Sequence, residues 1–244
     1  ALVRWTYPRA DKVIAVSDGV ADDLARNFAV PREKLVSIAN PIDVDAIEAK
    51  AAAEAAYRPV GDYILAAGRL VKSKNFELLI RAYAQAGIAA SLVILGEGSE
   101  RAALEAVARE CGVAERVALP GFMANPYPLM RSAKLFVLSS NDEGFPNALV
   151  EAMALGTPVV ATNCASGPSE ILAETLRENV RGLTFAPHGV LTPTNDIAAM
   201  AEALRAMTAE RRGQYGARAA ARARAYGPGI AAERYWRVLE EAMA

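Results

Sequence analysis

Apolar residues fall into short runs separated by stretches of helical periodicity. Tyr63–Ala67 (YILAA), Ser91–Leu95 (SLVIL), Leu135–Leu138 (LFVL) and residues 117–119 and 158–162 are brief and almost wholly apolar, as strands covered on both faces are. After the first, Asn75 is placed to cap a helix. Its apolar positions Phe76, Leu79, Ile80 and Tyr83 keep the 3.6-residue period, and Gly87 ends it. Ser99 is expected to cap a helix reaching Cys111, a short Pro-broken helix spans 128–132, and another follows Pro146 as far as Leu155. Residues 182–185 read as a last strand, with Asn195 capping a helix through Met207. Nearer the start, strands at 13–16 and 35–38 flank a helix at 20–28 capped by Ser17 or Asp18, and 45–56 reads as an exposed helix or linker. An arginine-rich helix covers 210–225 and reads as a solvated face, with contact with an anionic membrane or a partner as the alternative. Past Gly227-Pro228-Gly229 a final helix, 230–243, carries Tyr235, Trp236 and Leu239, an apolar patch in need of a partner. This alternation predicts an α/β fold, a parallel sheet with helices on both faces.

Composition narrows the function. A 53% hydrophobic content over 244 residues supports a sizeable core, and 23% charge is ordinary for a folded chain. A net charge of -1 argues against nucleic-acid binding, which needs a basic surface. No apolar run approaches the roughly 18 residues of a membrane span. One histidine, His188, with the distant Cys111 and Cys164, cannot form a Cys/His zinc site, and the two cysteines suit reduced thiols.

The chemistry gathers where strands empty into helices, the edge at which open α/β sheets bind ligands. Arg69 and Lys74 follow the strand at 63–67, and Lys74 sits just ahead of the Asn75-capped helix. Two cations beside a helix N-terminus suit a diphosphate; the alternative is a pair of surface charges. The Gly96-Glu97-Gly98 turn fails as a dinucleotide fingerprint, since Arg101 holds the third glycine position and Glu97 would repel a pyrophosphate. These glycines are expected to shape a turn beside the cleft. The densest segment is Asp142-Glu143-Gly144-Phe145-Pro146. Pro146 suits the first helical turn, which leaves Glu143 in the loop and Glu151 inside the helix. Glu143 and the N–H groups of Phe145, Asn147 and Ala148 suit sugar hydroxyls or phosphate, and Glu151 suits a ribose diol. The alternative is one acidic residue favouring a helix start and one exposed helix glutamate. Ser169, in Gly167-Pro168-Ser169-Glu170, is able to cap the next helix.

Taken together, Gly68-Arg69-Leu70 with Lys74, Leu95-Gly96-Glu97-Gly98, Pro120-Gly121-Phe122, the Glu143-to-Glu151 segment, the run 156–162 and Ser166-Gly167-Pro168-Ser169-Glu170 resemble the donor-binding half of a glycosyltransferase of family 4. That family has the GT-B fold and retains the anomeric configuration. The resemblance implies a Rossmann-like nucleotide-sugar domain at 44–227. Residues 1–43 would be the end of an N-terminal acceptor domain, and 228–244 a helix packing back on it. It implies that Arg69 and Lys74 bind the donor diphosphate and stabilise the leaving group. Glu143 would hold the sugar, with the Gly144, Phe145, Pro146, Asn147 and Ala148 segment assisting. Glu151 would hold the ribose, and Gly68, Phe122 and Met123 would complete the pocket. Glu143, Arg69 and Lys74 are thus the expected catalytic set, with no metal and no cofactor. The donor is expected to be a UDP-sugar, on the Ser166-to-Glu170 variant, and the acceptor a saccharide or lipid-linked glycan in polysaccharide biosynthesis. The chain is expected to be a piece of a longer cytoplasmic enzyme, with its arginine-rich helix a candidate for peripheral contact with the inner membrane face. Two other readings compete: a non-catalytic nucleotide-sugar-binding module, and a nicotinamide-dependent oxidoreductase, which the missing fingerprint disfavours.

Overall fold

The computed structural model describes residues 2–207 and 209–243. A short helix α1 (Leu2–Thr6) leads into β1 (Val13–Ala15), α2 (Asp18–Phe28), β2 (Leu35–Ser37) and α3 (Val44–Lys50). The central part alternates β3 (Tyr63–Ala67), α4 (Phe76–Ala86), β4 (Ser91–Leu95), α5 (Arg101–Glu110), β5 (Val117–Gly121) and α6 (Tyr127–Ser132). It continues with β6 (Leu135–Leu138), α7 (Asn147–Ala154), β7 (Val159–Thr162), α8 (Pro168–Leu172), β8 (Thr184–Ala186) and β9 (Gly189–Thr192). Three helices close the chain: α9 (Ile197–Ala206), α10 (Ala209–Ala223) and α11 (Pro228–Met243).

Seven strands form one sheet in the order β5-β4-β3-β6-β7-β9-β8, and β1 and β2 pair in parallel as a separate two-stranded sheet. All neighbours in the large sheet are parallel except β8 and β9. Side chains alternate across the pleat. Leu65, Leu95, Phe136 and Leu138 therefore face one core with Leu149 and Met153 of α7, while Ile64, Ile94, Leu135 and Val137 face another with Leu79 and Tyr83 of α4. Helices α3, α6, α7 and α10 pack on the first face and α4, α5 and α9 on the second.

Chain order reverses between β3 and β6: β4 and β5 extend to one side, β7 and β9 to the other. At such a switch point the two connecting loops diverge and leave a crevice at the carboxyl ends of the strands. The loops flanking it carry Lys74 and Glu143.

The first two strands and α2 enclose a small cluster of their own, Val13, Ala15, Ala21, Leu24 and Val30. Helix α11 lies against the same region. Its Ala231 and Val238 pack on Ile38, Arg234 donates to the Ser37 carbonyl (2.6 Å), and Glu241 pairs with Lys12 (3.2 Å). Trp236 on the opposite side of this contact stays 64% exposed.

Several local expectations are corrected. The segment at 182–185 is not the last strand of a parallel run: residues 184–186 form the antiparallel edge strand β8, and the sheet's last parallel strand is β9. Asn195 does not cap α9. It adopts a left-handed backbone (φ 59°) and Asp196 accepts the Ala199 N–H instead (2.9 Å). Ser99 makes no cap on α5, and the Ser169 hydroxyl is buried without a partner among the described residues. The α8 cap comes from Glu170, whose carboxylate reaches back to the Gly167 N–H (3.2 Å). Helix α3 is not simply exposed: Asp43 caps it and Val44 and Ile47 are buried against the main core. On α10, Arg222 donates to the Glu170 and Ile171 carbonyls and pairs with Glu174, so the arginine face is only partly a solvated one.

Candidate donor site at the sheet switch point

A cavity of about 380 Å³ opens at the carboxyl ends of β3 and β4. Gly68, Arg69, Phe122, Met123, Ala148 and Glu151 all line it, joined by Gly96 and Glu97. Its floor depends on glycine. Gly96 has φ 135°, and a Cβ there would lie 1.9 Å from the Gly68 carbonyl oxygen; one on Gly98 would lie 2.3 Å from the Leu70 oxygen. The β4 turn thus runs directly over the backbone that presents Arg69. The wall is mainly apolar, with Met123, Met130 and Pro126, and Phe122 stands 74% exposed at its rim. An apolar slot with a carboxylate at one end fits a nucleoside: base against the aliphatic wall, sugar hydroxyls toward the acid.

Glu151 is that carboxylate. Burial pushes its pKa up, and a hydrogen bond from Tyr127 together with the Lys50 charge acts in the opposite direction. Tyr127 and Lys50 were not among the residues expected here. Lys50 ends α3, a segment whose alanine-and-charge composition resembles a linker, so no local signal places it beside Glu151.

The cation and the loop carboxylate meet. Lys74 Nζ lies 2.5 Å from Glu143 Oε1, and the Ser140 hydroxyl donates to the same oxygen at 2.6 Å. The Glu143 side chain is only 9% exposed and that of Lys74 23%. Lys74 also packs its carbon stem along Gly68, so a single side chain touches both halves of the site. Oε2 of Glu143 accepts no hydrogen bond among the described residues. Arg69, by contrast, is exposed, and its guanidinium has no hydrogen bond or ion pair among them.

The 144–148 segment divides. Ala148 lines the cavity, but the side chains of Phe145 and Pro146 are buried away from it. Phe145 meets Tyr226 edge-on at 5.3 Å, Gly144 packs on Val16 and Val20, and Asn147 accepts a hydrogen bond from Asn40. What this segment offers the cleft is backbone. The N–H groups of Gly144, Phe145 and Ala148 have no acceptor within the chain among the described residues, whereas that of Asn147, expected to be free, donates to the Phe145 carbonyl (3.0 Å). Ser166 fixes the loop from behind by donating to the Glu143 carbonyl (2.5 Å). Nearby Cys164 is fully buried, and burial together with the Glu143 charge pushes its thiol up to about 12, which makes it inert rather than nucleophilic.

Residues 54–226 match the family model described as glycosyl transferases group 1, and residues 1–46 match glycosyltransferase family 4. The chain is 39% identical over 173 residues to the N-acetylgalactosamine-N,N'-diacetylbacillosaminyl-diphospho-undecaprenol 4-alpha-N-acetylgalactosaminyltransferase of Campylobacter jejuni, covering 71% of this chain and 47% of that protein. It is 28% identical over 185 residues to the lipopolysaccharide 1,6-galactosyltransferase of Escherichia coli, covering 73% and 49%. The chain thus spans about half the length of these relatives. Among solved structures, Anabaena Alr3699/HepE in complex with UDP and glucose superposes with a TM-score of 0.79 at 21% identity, over 95% of this chain and 64% of that one. The pneumococcal O-GlcNAc transferase GtfA in complex with UDP and GlcNAc gives 0.74 at 19%, over 96% and 45%. At these identities the likeness is one of fold.

Proposed function

The chain belongs to the glycosyl transferases group 1 family, and from that membership we propose that it supplies the donor-binding half of a retaining GT-B glycosyltransferase. The donor is a nucleotide-sugar, with UDP as the nucleotide. The acceptor is a saccharide or lipid-linked glycan, as the name of the Campylobacter jejuni relative describes for that enzyme. Residues 1–43 are the end of the acceptor domain, 44–227 the nucleotide-sugar domain, and 228–244 a helix returning to the acceptor side. The contacts of α11 with Ile38, Ser37 and Lys12 support that division.

One observation carries the reading. The topological switch between β3 and β6 brings Lys74 against Glu143, and the Lys74 stem against Gly68, which lines a nucleoside-sized cavity together with Glu151. In the donor complex, Glu151 accepts the ribose hydroxyls and the base lies along Met123 and Phe122. The diphosphate sits over Arg69 and Lys74, and the free N–H groups at the start of α7 face the transferred group. Glu143 takes the sugar hydroxyls on Oε2 while Oε1 keeps Lys74 oriented. As the glycosidic bond breaks, charge builds on the departing diphosphate, and two cations, Lys74 held in place by Glu143 and the exposed Arg69, stabilise it most at that moment. No step calls for a metal, and the carboxylates are not a hydrolytic acid–nucleophile pair.

Calorimetry of the chain against UDP, GDP and ADP tests this, repeated with Arg69→Ala. UDP binding, weakened at least tenfold by the substitution, is expected. Absence of binding by all three, or equal binding by the variant, would overturn the site. The 244-residue chain is expected to bind the nucleotide without transferring sugar; robust transfer by it would refute the assignment of acceptor chemistry to a separate domain.

A further inference from the structure

Glu170 holds together parts of the chain that the donor site alone does not explain. Its Oε2 accepts the Asp18 N–H at 2.7 Å, and its Oε1 accepts the N–H groups of Gly19 at 3.1 Å and Gly167 at 3.2 Å. One carboxylate therefore satisfies free donors at the start of two helices, α2 and α8, separated by about 150 positions. Its negative charge also complements the positive end of the 11-residue α2. Ser17 supplies the remaining cap, to the Val20 N–H.

Around this carboxylate the backbones approach with nothing between them. A Cβ on Gly19 would lie 2.5 Å from Ser166 Cβ, and one on Gly167, whose φ is 94°, would lie 2.6 Å from the Pro146 ring. A Cβ on Gly144 would lie 3.2 Å from a methyl of Val16. The same loop reaches the backbone of Glu143, because the Ser166 hydroxyl donates to the Glu143 carbonyl. The contact path thus runs from α2, through Glu170 and the residues after β7, to the backbone of Glu143.

We propose that Glu170 is a positioning residue that sets the α2 segment against the Glu143 loop, and so places the acceptor side of the enzyme relative to the donor sugar. Its role in transfer rests on the donor-site reading above; the clamp itself does not. Glu170 touches neither the nucleotide cavity nor its lining, so its loss leaves nucleotide affinity intact while freeing the two loops.

Residue-resolved amide exchange on the 244-residue chain tests the clamp, with Glu170→Ala, Glu170→Gln and Gly19→Ala. Glu170→Ala is expected to speed exchange at least tenfold at Asp18, Gly19 and Gly167, with a smaller rise across 143–148. Protection in Tyr63–Ala67 and Ser91–Leu95 and the UDP affinity should stay within twofold of the parent. Glu170→Gln, which keeps a carbonyl acceptor without the charge, should recover part of the protection. Gly19→Ala reaches the same contact from the other side: it suits a helix interior but drives a methyl into Ser166, so it should free the same amides with Glu170 intact. Unchanged exchange at Asp18 and Gly19 in Glu170→Ala, or a loss spread evenly through the strands, would overturn the proposal. A parent chain that binds no UDP yet shows the localised exchange would overturn the donor-site reading and leave the clamp standing.

Discussion

Removing the Lys74 charge should cost the fold as well as the ligand. In Lys74→Met the Glu143 carboxylate, 9% exposed, keeps only the Ser140 hydroxyl. Breaking a buried ion pair from one side costs about 3–5 kcal/mol, because the remaining charge is left uncompensated. Lys74 is itself 23% exposed, so water enters part of the space it vacates. We therefore take a loss of about 2–3 kcal/mol, below that range, as the expected value. At roughly 2–4 °C per kcal/mol for a chain of this size, the melting temperature falls by about 4–12 °C. Lys74→Met combined with Glu143→Leu removes both charges and should regain most of that loss, as replacement of a buried pair by apolar groups commonly does. Thermal unfolding of the two single variants and the double variant, analysed as a double-mutant cycle, measures this. Additive losses, or a Lys74→Met variant within about 0.5 kcal/mol of the parent, would refute the coupling and with it the joined site. Lys74→Met should also weaken UDP binding by about 1.5–3 kcal/mol, the range for a charged hydrogen bond.

Arg69→Ala separates function from stability. With no partner to lose among the described residues, it should unfold within about 0.5 kcal/mol of the parent while binding UDP at least tenfold more weakly. The raised pKa of Glu151 gives two effects of opposite sign as the pH falls. UDP affinity drops, starting at a higher pH than for an ordinary glutamate, because protonation removes the ribose acceptor. The fold meanwhile gains stability, because the native state binds that proton more tightly than the unfolded chain. Titrating affinity and melting temperature across the window, with Glu151→Gln flattening both profiles, checks the signs. Gly96→Ala places a methyl carbon 1.9 Å from the Gly68 oxygen on a backbone of φ 135°, and should destabilise by about 3 kcal/mol or more in chemical denaturation. In a thiol-reagent titration at pH 8, Cys111 should react in the native chain and Cys164 only after denaturant is added.

What was readable in the chain was whatever depends on neighbours in sequence. Each of β3, β4, β6 and β7 is an almost wholly apolar run, because a strand buried on both faces needs no polar alternation. Asn75 and Gly87 bound α4 because capping is a property of a few consecutive residues. Candidate chemistry was visible for the same reason: Arg69, Lys74 and Glu143 lie at strand-to-helix turns, and Glu151 in the helix that follows the last of them. The order of the motifs points to the family from the chain alone.

Tertiary structure decided which of these groups share a space. Nothing local says that Lys74 and Glu143, 69 positions apart, form one buried pair; the adjacency of β3 and β6 does. Lys50 beside Glu151, Glu170 holding the start of α2, and a Ser169 hydroxyl without a partner among the described residues are likewise outcomes of packing between distant segments. The four-residue β9 went unread because its glycine start and brief apolar run resemble a turn until β7 lies alongside it. Hydrophobic periodicity and caps are short-range and survive in the bare sequence. Pair geometry, burial and the charges that shift a carboxylate are long-range, and exist only once the sheet order is set.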